Sequence, residues 1–549
     1  MVGLLLGWAL LAGSTAPESV AHHRKGNARV FPLRDGKVVL EWVSASTFRF
    51  CRDWSGRECA EDPLSHDELE VRESLVGDRL VYETQYLKVE LDNTTLLLRV
   101  TSHEGRRILE EAGPVQRGNG GVSVERMSPP EERFFGLGFR ADGPVEVRGR
   151  KIPAEKPFLI SSLGYGLHHS SPGDFEFDLA ATDERRYRVA ARGATRFEYY
   201  FHFGPTPKEI LEEHKGVVLP PGEIRPWHFA ILHERRLPRG TAKLPTAVEP
   251  SWKSLRDTVV SLVNCSMSAI LLPAMDIEPY REAPLPLYRR GVQLARVTPL
   301  VHSKFHLLDD ETRLDLHYEM AQVRKRFNPF FVSYGRDVEA RGHPIARGLP
   351  LQFPRDAEAA TVDDQFMLGD EILVAPMLGP GGRRSVYLPM GLWTDLRTNE
   401  RLAGRRRVDL EAGSGPILLA RNGSILPLAA LEDNAPMDLH YFPKLAAEFF
   451  VFEPGVNDYT QLHAGPAADQ MRLEIESKAT RTYEWVVHHL PAVEEVSSDG
   501  AILPSVAQGA GLKTGSWIYD TSSRTFRVRL AVPAHKQNVI FISFKNGGW

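Results

Sequence analysis

Short β-type runs with turn punctuation fill the chain from about Arg29 to Phe203. Residues 88–91 and 186–189 alternate polar and apolar side chains, while 37–43 and 95–100 are more continuously apolar. A period of two gathers the apolar set on one strand face, so closely spaced strands of this kind predict a β-sandwich. The pattern breaks at Gly204-Pro205-Thr206-Pro207, where proline in a first turn followed by Lys208-Glu209-Ile210-Leu211 predicts a helix. Between Val217 and Gly342 the period changes. Residues 252–263 carry apolar side chains near helical spacing, 269–274 form a compact apolar run suited to a buried parallel strand, and 312–326 again read as a helix. Alternating helices and apolar strands predict part of a barrel or doubly wound sheet. From about Arg347 strands return, at 385–389, 449–452, 483–487 and 539–544, as expected for two further sandwiches. The expected fold class is therefore multidomain β plus α/β. No internal repeat or low-complexity tract interrupts it.

Composition narrows the classes. The 549 residues suffice for several domains, each with its own core. A net charge of −4 with 25% charged residues gives no basic field, so nucleic acid is not an expected partner. An apolar run at 4–12 followed by small residues reads as an export signal over 1–21, too short for a permanent anchor. Neither it nor any later stretch predicts a membrane span, and a secreted, secretory-pathway or periplasmic location is expected. Of the three cysteines, Cys51 and Cys59 are close enough in sequence to bridge in an oxidising compartment, with two free thiols the alternative; Cys265 is left over. Asn93, Asn264 and Asn422 begin glycosylation-type triplets, a pattern that chance produces often.

Candidate chemistry comes from wording rather than composition. Two stretches read as opposite ends of one large sugar-cleaving enzyme. The first holds Phe134-Phe135-Gly136-Leu137-Gly138-Phe139, residues 157–166 and Tyr199-Tyr200-Phe201-His202-Phe203-Gly204-Pro205-Thr206-Pro207-Lys208-Glu209. The second holds Asp364-Gln365-Phe366-Met367-Leu368-Gly369-Asp370, Leu373-Val374-Ala375-Pro376 and Arg421-Asn422-Gly423-Ser424-Ile425-Leu426-Pro427. In order and wording both resemble glycoside hydrolase family 31, the retaining α-glucosidases and α-xylosidases. The resemblance implies a galactose-mutarotase-like N-terminal sandwich at 27–216, a truncated (α/β)8-type barrel at 217–345, and proximal and distal C-terminal sandwiches at 346–430 and 431–549. It implies no cofactor and no metal, and a carbohydrate partner, an α-glucoside or α-xyloside oligosaccharide. An (α/β)8 barrel takes about 250 residues; Val217 to Gly342 offers roughly half, so a partner chain or second copy covering the open barrel is a further expectation.

Retaining hydrolysis requires a nucleophilic carboxylate and a proton-donating carboxyl about 5–5.5 Å apart. The family's W-x-D-M-N nucleophile segment has no counterpart between Val217 and Gly342; Trp393-Thr394-Asp395 resembles it in letters only, and follows a run that resembles a C-terminal sandwich strand. Residues 228–232 resemble the strand before the acid/base loop. Counting five residues back from Trp252 puts Ala247 at the acid/base position, where no proton can be donated; Glu249 is the nearby carboxyl, with Pro250 constraining its backbone. Asp276 and His302 match family sugar-binding positions, and Arg235 lies near a third, although the best register puts Glu234 there. Ile277-Glu278-Pro279-Tyr280 replaces two family glycines, which should narrow the pocket floor. The adjacent pairs His22-His23 and His168-His169 suit joint metal ligation poorly, because neighbours on a strand face opposite ways. No dinucleotide fingerprint, P-loop or serine elbow is present. The expectation is a family 31-like protein, inactive or impaired, with a non-catalytic carbohydrate-binding or structural role as the alternative.

Overall fold

The computed structural model describes residues 22–545 apart from 61–68, 119, 142, 219–228, 230, 233–240, 246–248, 305–307, 309, 433–434 and 454–457. The chain divides into two compact units. One comprises Met1–Glu132, Gly149–Ala154 and Leu167–Phe203; the other comprises Arg133–Arg148, Glu155–Gly166 and Gly204–Trp549. Two pieces of the span expected for the N-terminal sandwich thus belong with the second unit, where Phe134–Gly136 pairs antiparallel with Phe158–Ser161.

The first unit is antiparallel throughout its named strands. Ala28–Leu33, Gly36–Trp42, Thr47–Asp53 and Arg196–Phe203 pair in that order. Gly121–Met127, Arg186–Arg192, Asp174–Leu179 and Arg150–Ala154 make a second sheet. Asp174–Leu179 and Arg186–Arg192 alternate between buried and exposed positions along most of their length, as a sheet wet on one side requires. The Cys51–Cys59 bridge is formed, and Asp53 organises its loop by accepting the Ser55 and Glu58 amides, each at 2.6 Å. Gly36 sits at φ +128° with Asp53 O 2.0 Å from where a Cβ would lie, so that turn requires glycine.

The second unit carries the α/β part. Helix α1 (Pro207–Val218) leads to strands β1 (Ile231–Leu232) and β2 (Thr241–Lys243). Helix α2 (Trp252–Ser266), strand β3 (Leu272–Asp276), helix α3 (Leu285–Ala295), strand β4 (Leu300–His302) and helix α4 (Glu311–Arg341) follow. The four strands are parallel in the order β1-β4-β3-β2. In a closed (α/β)8 ring, chain-consecutive strands are neighbours and the last pairs with the first. Here β1 pairs with β4, while β1 and β2 occupy opposite edges. β2, not β1, is the strand that directly precedes position 247, which corrects the reading of residues 228–232 as the strand before the acid/base loop.

Helix α4 runs to Arg341, past the expected end near Arg326 and through Pro329, and stops at Gly342 in the left-handed conformation, φ +73°. The packing of Phe330, Phe331 and Tyr334 outweighs the local cost of the proline: all three are buried, and the Phe330 ring stacks 5.9 Å from Phe449. Beyond α4 the unit is β again. Strands β5 (Phe366–Leu368) and β6 (Ile372–Ala375) belong to a sheet that also contains Leu392–Asp395. Trp393 and Asp395 are therefore sandwich residues; Asp395 caps a turn by accepting the Arg397 amide at 2.8 Å. Strands β7 (Ala447–Phe452) and β8 (Tyr459–Ala467) open a six-stranded sheet in which β7 is an edge. Among the described residues no helix is long and apolar enough to cross a membrane.

Candidate functional site

In a parallel sheet covered on both faces the strands read as continuous apolar runs, and polarity is confined to their ends. β3 follows this rule: Leu272, Pro273, Ala274 and Met275 are buried, and Asp276 closes the strand. Its register with β4 pairs Asp276 with His302, and its register with β2 pairs Ala274 with Lys243. Residues two apart on a strand share a face. Lys243, Asp276 and His302 therefore converge at the carboxyl ends of three adjacent strands, the end where α/β sheets place their chemistry.

Asp276 is 7% exposed, and both its oxygens are occupied. Oδ1 lies 3.0 Å from His302 Nδ1 and accepts the Glu278 amide at 3.1 Å, while Oδ2 is paired with Lys243 Nζ. An ionised carboxylate has no proton to give, so Nδ1 is the donor of the histidine contact. Burial pushes the Asp276 carboxyl up, but Lys243, His302 and the Glu278 amide together outweigh it and hold the group below the usual carboxylate range. Lys243 carried no sequence signal, because its approach depends on the β2–β3 register.

The segment after Asp276 closes the site. Glu278, Pro279 and Tyr280 form one 3₁₀ turn, and the Glu278 carboxylate accepts the Lys304 amide, tying the loop after β4 to the loop after β3. Tyr280 is buried. Pro245, Pro250, Pro279 and Tyr280 leave beside Asp276 a cavity of about 10 Å³, close to the minimum for one water molecule. Of the other sequence candidates, Glu249 is exposed, two residues before the Ser251 cap of α2. Arg235, Glu234 and Ala247 lie outside the described residues. Among the described residues no group of histidine, cysteine and carboxylate side chains could hold a metal ion.

Behind the site, Arg324 of α4 is 2% exposed and donates to four carbonyls: Phe229 at 2.8 Å, Ala295 at 2.9 Å, Thr298 at 2.6 Å and Pro299 at 2.8 Å. The end of α3, the approach to β4 and the residue two before β1 are thereby held by one guanidinium, whose pKa burial lowers to about 9.

Residues 342–426 match the profile of the glycosyl hydrolase family 31 C-terminal domain. An isomaltosyltransferase of Sporosarcina globispora is 23% identical over 290 residues, 46% of this chain and 26% of that protein. An α-glucosidase and an α-xylosidase of Saccharolobus solfataricus are each 27% identical, over 33% and 39% of this chain and 28% and 30% of theirs. The chain thus spans less than a third of the length of these curated relatives. Among solved structures, a Flavobacterium johnsoniae dextranase complexed with glucose superposes with a TM-score of 0.83 at 15% identity, covering 96% of this chain and 99% of that one. A Xanthomonas citri α-xylosidase gives a TM-score of 0.70 at 12% identity, covering 85% and 96%. At these identities the superpositions establish the fold.

Proposed function

Because the chain belongs to glycoside hydrolase family 31, we propose that it binds α-linked glucose- or xylose-containing oligosaccharides without hydrolysing them. Its relatives include a glucosidase, a xylosidase and a dextranase, and the dextranase has been solved with glucose and with isomaltotriose. The observation that carries the non-hydrolytic part of the proposal is the state of Asp276, the carboxylate that closes β3 at the strand ends. A carboxylate whose two oxygens are committed to Lys243, His302 and a backbone amide is not free to attack an anomeric carbon. With its pKa held down, it also cannot serve as a proton donor near neutrality.

The sequence supports the same reading. It has alanine at position 247 and no nucleophile segment between Val217 and Gly342. Loss of general acid help alone is typically worth about 10²–10⁴-fold in rate, before the covalent step is counted. The bridged Cys51 and Cys59 support an extracellular or periplasmic setting.

The test is turnover of nitrophenyl α-glucoside and α-xyloside by the purified chain and by Glu249→Gln, alongside oligosaccharide binding. No release above the buffer blank, with measurable binding, is expected. Release that Glu249→Gln abolishes would show Glu249 acting as an acid and would overturn the proposal.

A further inference from the structure

Away from the strand ends, the second unit contains a cleft of about 400 Å³, within the range that takes a small ligand, about 300–1,000 Å³. One wall is the last turns of α4, with Arg336, Asp337 and Arg341; the other is the β7–β8 hairpin; the β5–β6 turn, with Asp370 and Glu371, closes one end.

β7 is the unusual wall. Edge strands normally blunt their outward face with charge. β7 directs Phe449 and Val451 into the core and carries Phe450 and Phe452 on the opposite face, with Glu448 as the one charge there. Its pairing with β8 sets Tyr459 opposite Phe452 and Gln461 opposite Phe450. Phe450 and Tyr459, each 38% exposed, meet edge to face at 4.9 Å and 89°. The Arg336 guanidinium lies 5.9 Å from the Phe452 ring. Beside the rings, Gln461 Nε2 donates to Glu448 Oε1 at 2.7 Å.

Three kinds of ligand can be weighed against this lining. An anion meets Asp337, Asp370 and Glu448 as well as Arg336 and Arg341, and both arginines already pair on their own helix, with Glu339 at 2.7 Å and Asp337 at 2.6 Å. A wholly apolar ligand would cover those charged groups without replacing their hydrogen bonds, at a cost. A neutral ring with an apolar C–H face and a girdle of hydroxyls suits both parts of the lining, stacking on aromatic rings while its edge exchanges hydrogen bonds with carboxylate, amide and guanidinium groups.

We infer that this cleft is a binding site for a neutral, pyranose-based oligosaccharide, with Phe450 and Tyr459 as its stacking platform. The inference rests on the carbohydrate-binding reading above and gives it a location separate from Asp276.

The test uses the full chain with isomaltotriose and maltotriose as probes, followed by titration calorimetry and by saturation transfer from protein to sugar C–H protons. Phe450→Ala and Tyr459→Ala are each expected to weaken binding about tenfold or more, as removal of an aromatic anchor does. Tyr459→Phe, which keeps the ring, should restore most of it. Both rings are more than one-third exposed, so melting temperatures matching the parent are expected and serve as the folding control. Binding that survives Phe450→Ala and Tyr459→Ala would overturn this site while leaving the carbohydrate-binding reading intact. Absence of binding to both probes would overturn this site together with the glucose arm of the carbohydrate-binding reading.

Discussion

Glu111 in the first unit and Asp276 in the second are both buried carboxyl groups, and their acidities move in opposite directions. Glu111 accepts one amide, from Leu98 at 3.1 Å, and feels the charge of Arg126; burial dominates and lifts its pKa to about 7. Asp276 is desolvated too, yet an ammonium, an imidazole and an amide aimed at its oxygens bring it below the normal range. The difference teaches that depth does not decide the charge state of a buried acid; the number of donors within bonding distance does. By that rule, a carboxyl prepared for proton donation would look like Glu111, and the one at the strand ends does not.

The comparison can be broken at several points, and the largest effect should come from the cation behind the site. Arg324→Met strips four interior carbonyls of their donor and should cost about 3–5 kcal/mol in a denaturant titration. A cost under about 1 kcal/mol would show that aimed partners matter less than proposed.

Next is Glu111. Its folded pKa is raised, so its contribution is full below the unfolded value near 4.5 and is lost as pH rises through about 7. Glu111→Gln should flatten that decline and gain about 3 kcal/mol at pH 8, with no gain at pH 4. Asp276 has the opposite sign: its pKa is lowered, so its contribution is present above the unfolded value and lost as pH falls toward the folded one. Asp276→Asn should therefore cost about 1–2 kcal/mol at pH 7 and progressively less in acid. The smallest effect belongs to Lys243, which is half exposed. Lys243→Met should cost less than about 1 kcal/mol while moving the acid limb of the stability curve to higher pH.

Some of this was legible in the sequence. The sandwich strands and α2 appear as periodicity, and Asp276 and His302 as matched wording. Lys243 was not legible, because a three-residue strand acquires meaning only from its register. Helix α4 was legible only to Arg326, and what carries it on through Pro329 is packing against the remote Phe449. Residues 449–452 were legible as a strand, but nothing in the sequence paired Phe450 with Tyr459. Only the finding that β7 is an edge, with its inward side already apolar, makes its outward aromatics unusual. Arg235 and Ala247 fall outside the described residues, so their placement remains the sequence's expectation.

The adjacency of β1 and β4 has a topological consequence. In a row of strands, excising an interior member severs the sheet into two pieces. In a circle, any contiguous arc can be lifted out, and the survivors remain one connected ribbon with two new margins. The four strands here are one connected ribbon, margined among the described residues by β1 and β2. Circular architecture thus tolerates large internal loss in a way that a linear array of the same units does not.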